Sequence, residues 1–468
     1  MERLATVPNS PGQLATSPHS LSIYDQHTFR QSNQFRVLYI QQGGWNENIT
    51  CTIRVISLSR WRYEKRAPIN KYNALSYVWD LESPMVSIYI DNQEFLVHRN
   101  LHEALRRLRA QTYQSSKGLF VDAICINQSD ISERNAHVAL MGEIYSQCSD
   151  VIVWFGDLEG ATSSSFRLGF GHGAVPTNSS LRHGSVCFCK QEDWSASADI
   201  RTNKSQSEMA MVAAPVILRL AKAEHCADLL ACRLFDNFQD MIAFRFLMQY
   251  LGSNVWFKRM WTLQEALLPR KGRLYFGPVS IPLDSIFEIA SMWHTHLTNA
   301  CCRYWLSYLD PVVAPFVKAC FFLAQDRKLV RYGHRWDLFA LRIEYTDRKA
   351  SLDVDLLYGL LGLTEMSYDV SPDYSLSAED VFKQVSRNFL VAQPKYLSFW
   401  IFIYAPLKHK YPNLPSWAVD CTYVFCTSMS GHPKVLLLPL YAHGNMTPSK
   451  CKLLIIKTAC KYIVALFL

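Results

Sequence analysis

A chain of 468 residues, 49% hydrophobic and 19% charged, is long enough for two or three structural units and too apolar to be disordered throughout. Its net charge of +8 is spread along the chain with no run of five Lys or Arg, so no nucleic-acid partner is expected. The opening MERLATVPNSPGQLATSPHS lacks the apolar stretch of a signal peptide, and the 14 cysteines show no paired framework spacing; both point to reduced thiols in a cytoplasmic protein. Lys457 and Lys461 interrupt the apolar end KLLIIKTACKYIVALFL, so a membrane-spanning helix is not expected there.

In chain order, residues 1–34 are polar and Ser/Pro-rich and are expected to be disordered. Residues 35–40 and 49–55 read as a pair of strands leading into the core, with Gly43 and Gly44 in the turn region. YNALSYVWD (72–80) suits a buried strand, and residues 86–90 and 94–97 a hairpin turned at Asp91-Asn92. Asn100, with Glu103 three residues on, reads as the cap of a helix that puts Leu101, Leu105 and Leu108 on one face and Arg106, Arg107 and Arg109 off it. LFVDAICINQ (119–128) reads as a short buried strand. Asp130 and Glu133 form a second capping box, opening a helix with Val138, Met141, Ile144 and Tyr145 on its apolar face. DVIVWFGD (150–157) is a third buried strand.

The alternation of strand and helix predicts an α/β fold, a parallel sheet flanked by helices. Ligands on such sheets sit beyond the carboxyl ends of the strands, where this reading places Trp79, Asp80, Asp122, Asn127, Gln128 and Asp157. Residues 158–207 are Gly/Ser-rich without a period and read as a flexible insertion. Helical pattern returns over 209–249. KRMWTLQEALLPR (258–270) reads as a helix ended by Pro269, in which Trp261 and Glu265 share a face. Residues 273–277 suit a further strand, and 267–420 as a whole a mainly helical extension. The tail 421–468 carries no assignment.

Three separated segments, YNALSYVWD, FVDAICINQSDISERNAHVALMGEIYSQCSDVIVWFGD and RMWTLQEALL, occur in this order and together resemble the fungal heterokaryon incompatibility (HET) domain. DLLYGLLGL, SPDYS and LPSWAVD resemble blocks that often follow that domain. The resemblance places the domain at 72–266. Asp80 stands where the family usually has Gly, His137 where it has Gln, and Val354 where it has Arg. The resemblance implies a cytosolic regulator of non-self recognition and programmed cell death, partnered by copies of itself or by another incompatibility or sensor protein. It also implies a distant likeness to the Toll/interleukin receptor (TIR) fold, a TIR/flavodoxin-like core. In TIR-like enzymes a glutamate in a WxxxE-type helix assists cleavage of the glycosidic bond of NAD.

On that basis Glu265 is the candidate catalytic carboxylate, because cleavage through an oxocarbenium-like state is stabilised by a nearby negative charge. The competing reading makes Glu265 a structural group bonded to a backbone amide or to Arg259, with Trp261 as core. Asp122, Trp79, Asn127 and Trp261 are the candidate ligand-binding residues; Asp122 equally suits a helix cap. NAD enters as a substrate, and no cofactor is expected. Cys125 and His137 suggest a nucleophile pair, against which stands a buried small thiol between two isoleucines. His183, Cys187 and Cys189 have no second ligand pair at matching spacing, so no metal site is expected. The chain has no Gly-rich phosphate loop.

Overall fold

The computed structural model describes residues 22–58, 72–110, 117–158, 205–222, 238–298, 303–365, 370–392, 410–415 and 417–422. Its strands are β1 (Gln34–Ile40), β2 (Thr50–Ser57), β3 (Tyr72–Tyr77), β4 (Met85–Ile90), β5 (Gln93–His98), β6 (Gly118–Phe120), β7 (Val151–Trp154), β8 (Gly272–Phe276) and β9 (Val279–Pro282). They form one sheet in the order β5-β4-β2-β1-β6-β3-β7-β8-β9. All six residues of β3 are buried, as expected of a strand covered on both faces.

The sheet is mixed rather than wholly parallel. The four central strands β6, β3, β7 and β8 are parallel, with Asn73 opposite Leu119, and Leu75 opposite Ile152. Outside them β1 pairs antiparallel with β2 and β6, β4 with β5 and β8 with β9, while β2 and β4 pair parallel. The reason lies in the connections: short links between sequence neighbours reverse the chain, whereas the strands that pair parallel are joined by longer connections through intervening elements. Asp91 (φ 48°) and Asn92 (φ 64°) make the tightest link, as the hairpin reading requires.

Three local expectations are overturned. The stretch 119–128 is not a strand: β6 ends at Phe120, and Asp122–Cys125 makes one helical turn. An apolar run alone does not separate strand from helix, and Asp122 bonds the next amide (Oδ1 from Ala123 N, 2.8 Å) to start the turn. The helix Arg99–Arg109 has His98, not Asn100, at its N-cap, with no side-chain cap. Asn100 instead spans the sheet edge, donating to the Val78 carbonyl (2.7 Å) and accepting from the Trp154 indole (2.9 Å). Arg109 in that helix is buried, and it donates to the carbonyls of Gly44, Glu47 and Asn48.

Part of the segment expected to be disordered is packed. Ser22 closes a capping box on the turn Ile23–Gln26, and Ile23 and Tyr24 are buried. Arg36 of β1 lies over the rings of Tyr24 and Phe29 and pairs with Glu133 at 2.6 Å. That pairing explains why the second capping box is only half made. Asp130 accepts from the Glu133 amide (3.1 Å), but the Glu133 carboxylate is taken by Arg36 and the Asn127 amide. The helix Ile131–Gln147 buries Val138, Met141, Ile144 and Tyr145 as its spacing predicts.

Beyond β9 the described chain is helical, chiefly Leu283–Thr298, Arg303–Arg331, Leu338–Glu344 and Ala378–Ala392. Among the described residues no helix is long and apolar enough to cross a membrane. Of the insertion expected over 158–207, residues 159–204 lie outside the described residues, as do residues 1–21 and the tail beyond 422, but the end of the insertion is helical, with Ser205 capping the helix Gln206–Leu220.

Candidate functional site

The segment KRMWTLQEALLPR folds as a shorter helix than its spacing predicts, Thr262–Leu267, with Trp261 as its N-cap. All six helical residues are buried, because the helix lies between the sheet and the C-terminal extension. Its polar side chains divide between those two neighbours. The Trp261 indole bonds the Asp355 carboxylate, and the Gln264 amide donates to the Tyr358 carbonyl at 3.3 Å, both in the extension. Glu265 turns to the sheet, where the Ser76 hydroxyl of β3 donates to its Oε2. Ser76 in turn accepts from the Trp256 indole at 2.7 Å.

Glu265 is 5% exposed. Burial pushes its carboxyl up to about 7, against the lowering effect of the Ser76 bond; the Asp122 charge raises it, and Arg259 and Arg348 lower it. No ion pair with Arg259 seals the group. Arg259 is instead spent on the backbone, where its Nη1 donates to the Tyr77 carbonyl at 3.2 Å.

Asp122 stands at the carboxyl end of β6, half-buried. The Trp79 indole spans both its oxygens at 3.1 and 3.3 Å, and the Tyr77 phenol also bonds it. Burial holds Asp122 above the usual carboxylate range, with Arg259 opposing. Burial and the neighbouring carboxylate likewise hold the Tyr77 phenol well above its ordinary value, so it stays protonated as the donor. Two carboxylates, one shared guanidinium and two aromatic donors therefore gather at the carboxyl ends of β3 and β6. Such a set can hold one proton near neutral pH.

A small apolar cleft opens beside Asp122, lined by Tyr77, Trp79, Phe95, Val97, Leu101 and Ala123. Glu265 is not among its lining residues.

The structure thus brings together Glu265, Asp122 and Trp79 but not the other two candidates. Asn127 closes a turn before the helix Ile131–Gln147, its Oδ1 accepting from the Ser129 hydroxyl at 2.7 Å. Trp261 faces Asp355. Of the other residues at this edge, Gln128 donates to the Asp122 carbonyl (2.9 Å), and Asp157 is held by Arg107 (2.9 Å). Asp80 is exposed without a positive φ, its carbonyl accepting from the Ser83 hydroxyl at 2.8 Å, so this turn does not require the glycine usual there. Cys125 is no nucleophile at neutral pH, since burial pushes its thiol up to about 12. His137 bonds the Glu133 carbonyl and packs on Phe29, and burial lowers its pKa. Among the described residues no cluster of three or more His, Cys, Asp or Glu could hold a metal ion, and His183, Cys187 and Cys189 lie outside them.

Reasoning from sequence missed Ser76, Tyr77 and Trp256. The available signal was the pair Ser76-Tyr77 in a strand short enough to be wholly buried, since a buried hydroxyl needs partners.

Residues 72–265 match the family model described as Heterokaryon incompatibility protein (HET). The chain is 25% identical over 411 residues to Heterokaryon incompatibility protein 6, OR allele, of Neurospora crassa, an alignment that covers 82% of this chain and 55% of the relative. The chain therefore spans about half the length of the curated relative it matches. A comparison with solved structures finds none that matches.

Proposed function

We propose that this heterokaryon incompatibility (HET) domain protein acts in fungal non-self recognition, as a cytosolic signalling module that promotes programmed cell death when incompatible cells fuse. The observation that carries this reading is the match of residues 72–265 to the HET family, which takes in the first two signature segments whole and the third as far as Glu265. A TIR-like core is supported by strand order. Numbered by first appearance, the parallel strands β3, β6, β7 and β8 lie as second-first-third-fourth, the order of flavodoxin-like sheets. The partners in this reading are further copies of the chain or another incompatibility or sensor protein, with neither nucleic acid nor membrane involved.

A second reading, favoured by one specific observation, adds chemistry: cleavage of NAD with Glu265 as the acting carboxylate. That observation is a carboxyl pushed up to about 7 beside a second carboxylate at the carboxyl ends of parallel strands. Ionised, it would stabilise the positive charge that develops as the glycosidic bond to nicotinamide breaks. Asp122 and Trp79, at the same strand ends, would bind the substrate's polar groups. Because Glu265 is only 5% exposed, catalysis requires the covering chain to shift when substrate enters.

Expression of the full chain and of Glu265→Gln in fungal cells, with NAD content and viability followed together, tests both readings. Loss of viability with NAD depletion, abolished by Glu265→Gln, supports the enzyme. Toxicity that survives the substitution at constant NAD removes the enzyme and leaves assembly. A chain that impairs growth in neither form, alone or with an incompatible partner strain, overturns the incompatibility reading itself.

A further inference from the structure

Glu265 is held by a relay whose direction is fixed at both ends. The Trp256 indole nitrogen carries a hydrogen and has no acceptor capacity, so across 2.7 Å it donates to Ser76 Oγ. The Ser76 hydroxyl has one hydrogen, and Glu265 Oε2 is the acceptor set before it. Trp256 and Ser76 are both buried, at 0% and 1% exposure, so no water competes for the hydroxyl. Thr262, the first residue of the Glu265 helix, donates its own hydroxyl to the Trp256 carbonyl at 2.8 Å. Indole, hydroxyl and carboxylate are therefore tied to one another through both side chains and backbone.

We propose that Ser76 is the positioning residue of Glu265: oriented by Trp256, its hydroxyl holds Oε2 and favours the ionised carboxylate, leaving Oε1 as the oxygen available to a substrate. This deepens the reading of Glu265 as the acting carboxylate and rests on it. Without the hydroxyl the carboxylate loses a bond made to its charged form, and its titration moves upward. Hydrogen bonds to charged groups correspond to a shift of about one to two pH units. Trp256→Phe keeps the hydroxyl but frees it to rotate, which gives a smaller upward shift. Ser76→Thr keeps both the hydroxyl and the relay, and restores the original midpoint.

The test is infrared titration of the full-length protein, following the carbonyl band of the protonated Glu265 carboxyl, assigned by its loss in Glu265→Gln. Expected is an upward midpoint shift of about one unit or more in Ser76→Ala, a smaller one in Trp256→Phe, and recovery in Ser76→Thr. A Ser76→Ala midpoint equal to that of the unsubstituted protein overturns the proposal. If Ser76→Ala does not fold, an unshifted midpoint in Trp256→Phe overturns it equally. NAD turnover is measured on the same samples. Turnover by the unsubstituted protein, with a pH profile displaced in Ser76→Ala by the same amount as the band, joins the two readings. Absence of turnover removes the NAD reading, while the titration still decides whether Ser76 sets the state of Glu265.

Discussion

Arg348 donates from Nη1 to the Thr262 hydroxyl at 2.7 Å, and from the same nitrogen to the Arg259 carbonyl at 2.7 Å. A residue well beyond the family-matched segment 72–265 thus grips the first turn of the helix that carries Glu265. It does not act alone. Lys349 exchanges backbone bonds with Lys258 and Met260, and Asn135, in the helix Ile131–Gln147, bonds both Asp373 and the Tyr374 amide. The Arg134 guanidinium lies 3.8 Å over the Tyr374 ring. The extension is therefore part of the same packed unit as the signature segments. In this chain the segments DLLYGLLGL and SPDYS pack against the helices Thr262–Leu267 and Ile131–Gln147.

Replacing Arg348 with Met should lower stability by about 2 kcal/mol, since two charge-assisted bonds are lost from a buried site. It should also raise the Glu265 titration further, because Arg348 is one of the cations that lower it. Urea unfolding at neutral pH checks the first expectation, and the pH dependence of the midpoint checks the second. An unchanged unfolding midpoint would mean that the extension merely leans on the core.

Glu265 predicts a pH dependence of definite sign. Its folded pKa of about 7 lies above the ordinary 4.5, so the folded state binds more protons than the unfolded state between these values. The stability linked to this group is complete below about 4.5, falls as pH rises, and is lost above about 7. The span is about 3 kcal/mol. Glu265→Gln should flatten this fall, so its stability relative to the parent rises with pH across the window. Thermal melts in matched buffers from pH 4.5 to 8 measure it, and parallel curves for the two proteins would show that Glu265 does not titrate there.

Gly142 and Gly362 mark the closest approach between the central helix and the extension. A Cβ on Gly142 would lie 2.7 Å from Gly362 Cα, and one on Gly362 would lie 2.2 Å from Gln264 Oε1 and 2.7 Å from Gly142 Cα. Gly142→Ala and Gly362→Ala should each cost about 1–3 kcal/mol, because backbone must move to relieve the overlap. The double variant should cost less than the sum, since one displacement serves both. A double-mutant cycle by chemical denaturation reads that coupling, and full additivity would place the strain elsewhere.

Arg36 and Glu133 form a buried pair, with side-chain exposures of 2% and 11%. Arg36→Met leaves Glu133 buried with only the Asn127 amide as hydrogen-bond donor, and should cost about 3–5 kcal/mol. Glu133→Gln should be milder, because the amide oxygen still accepts from Arg36. Denaturation midpoints compare them, and equal losses would contradict the account based on buried charge.

The local pattern of this sequence determined much of the sheet. β1, β2, β3, β7 and β8 fall within a few residues of the apolar runs that predict them, and Asp91-Asn92 determined its turn, because backbone conformation there follows from the residues themselves. It determined as well that Trp79 and Asp157 stand near strand ends, and that Glu265 sits on a helix after them, though a shorter one than the spacing predicts. Tertiary structure decided the rest. Whether VDAICINQ continues a strand or turns into a helix goes with the fixing of Asp122, whose carboxylate is held by the Trp79 indole 43 positions earlier. Whether Glu133 closes a capping box depended on Arg36, 97 positions earlier in sequence. The roles of Trp261 and Glu265 separated because the extension reached one and β3 the other, and a spacing of four residues holds no record of which neighbours arrive. The raised carboxyl of Glu265, and the Ser76 hydroxyl that opposes it, exist only where distant segments exclude water together. A charge's cost depends on what surrounds it in space, and that is set by the packing of the whole chain.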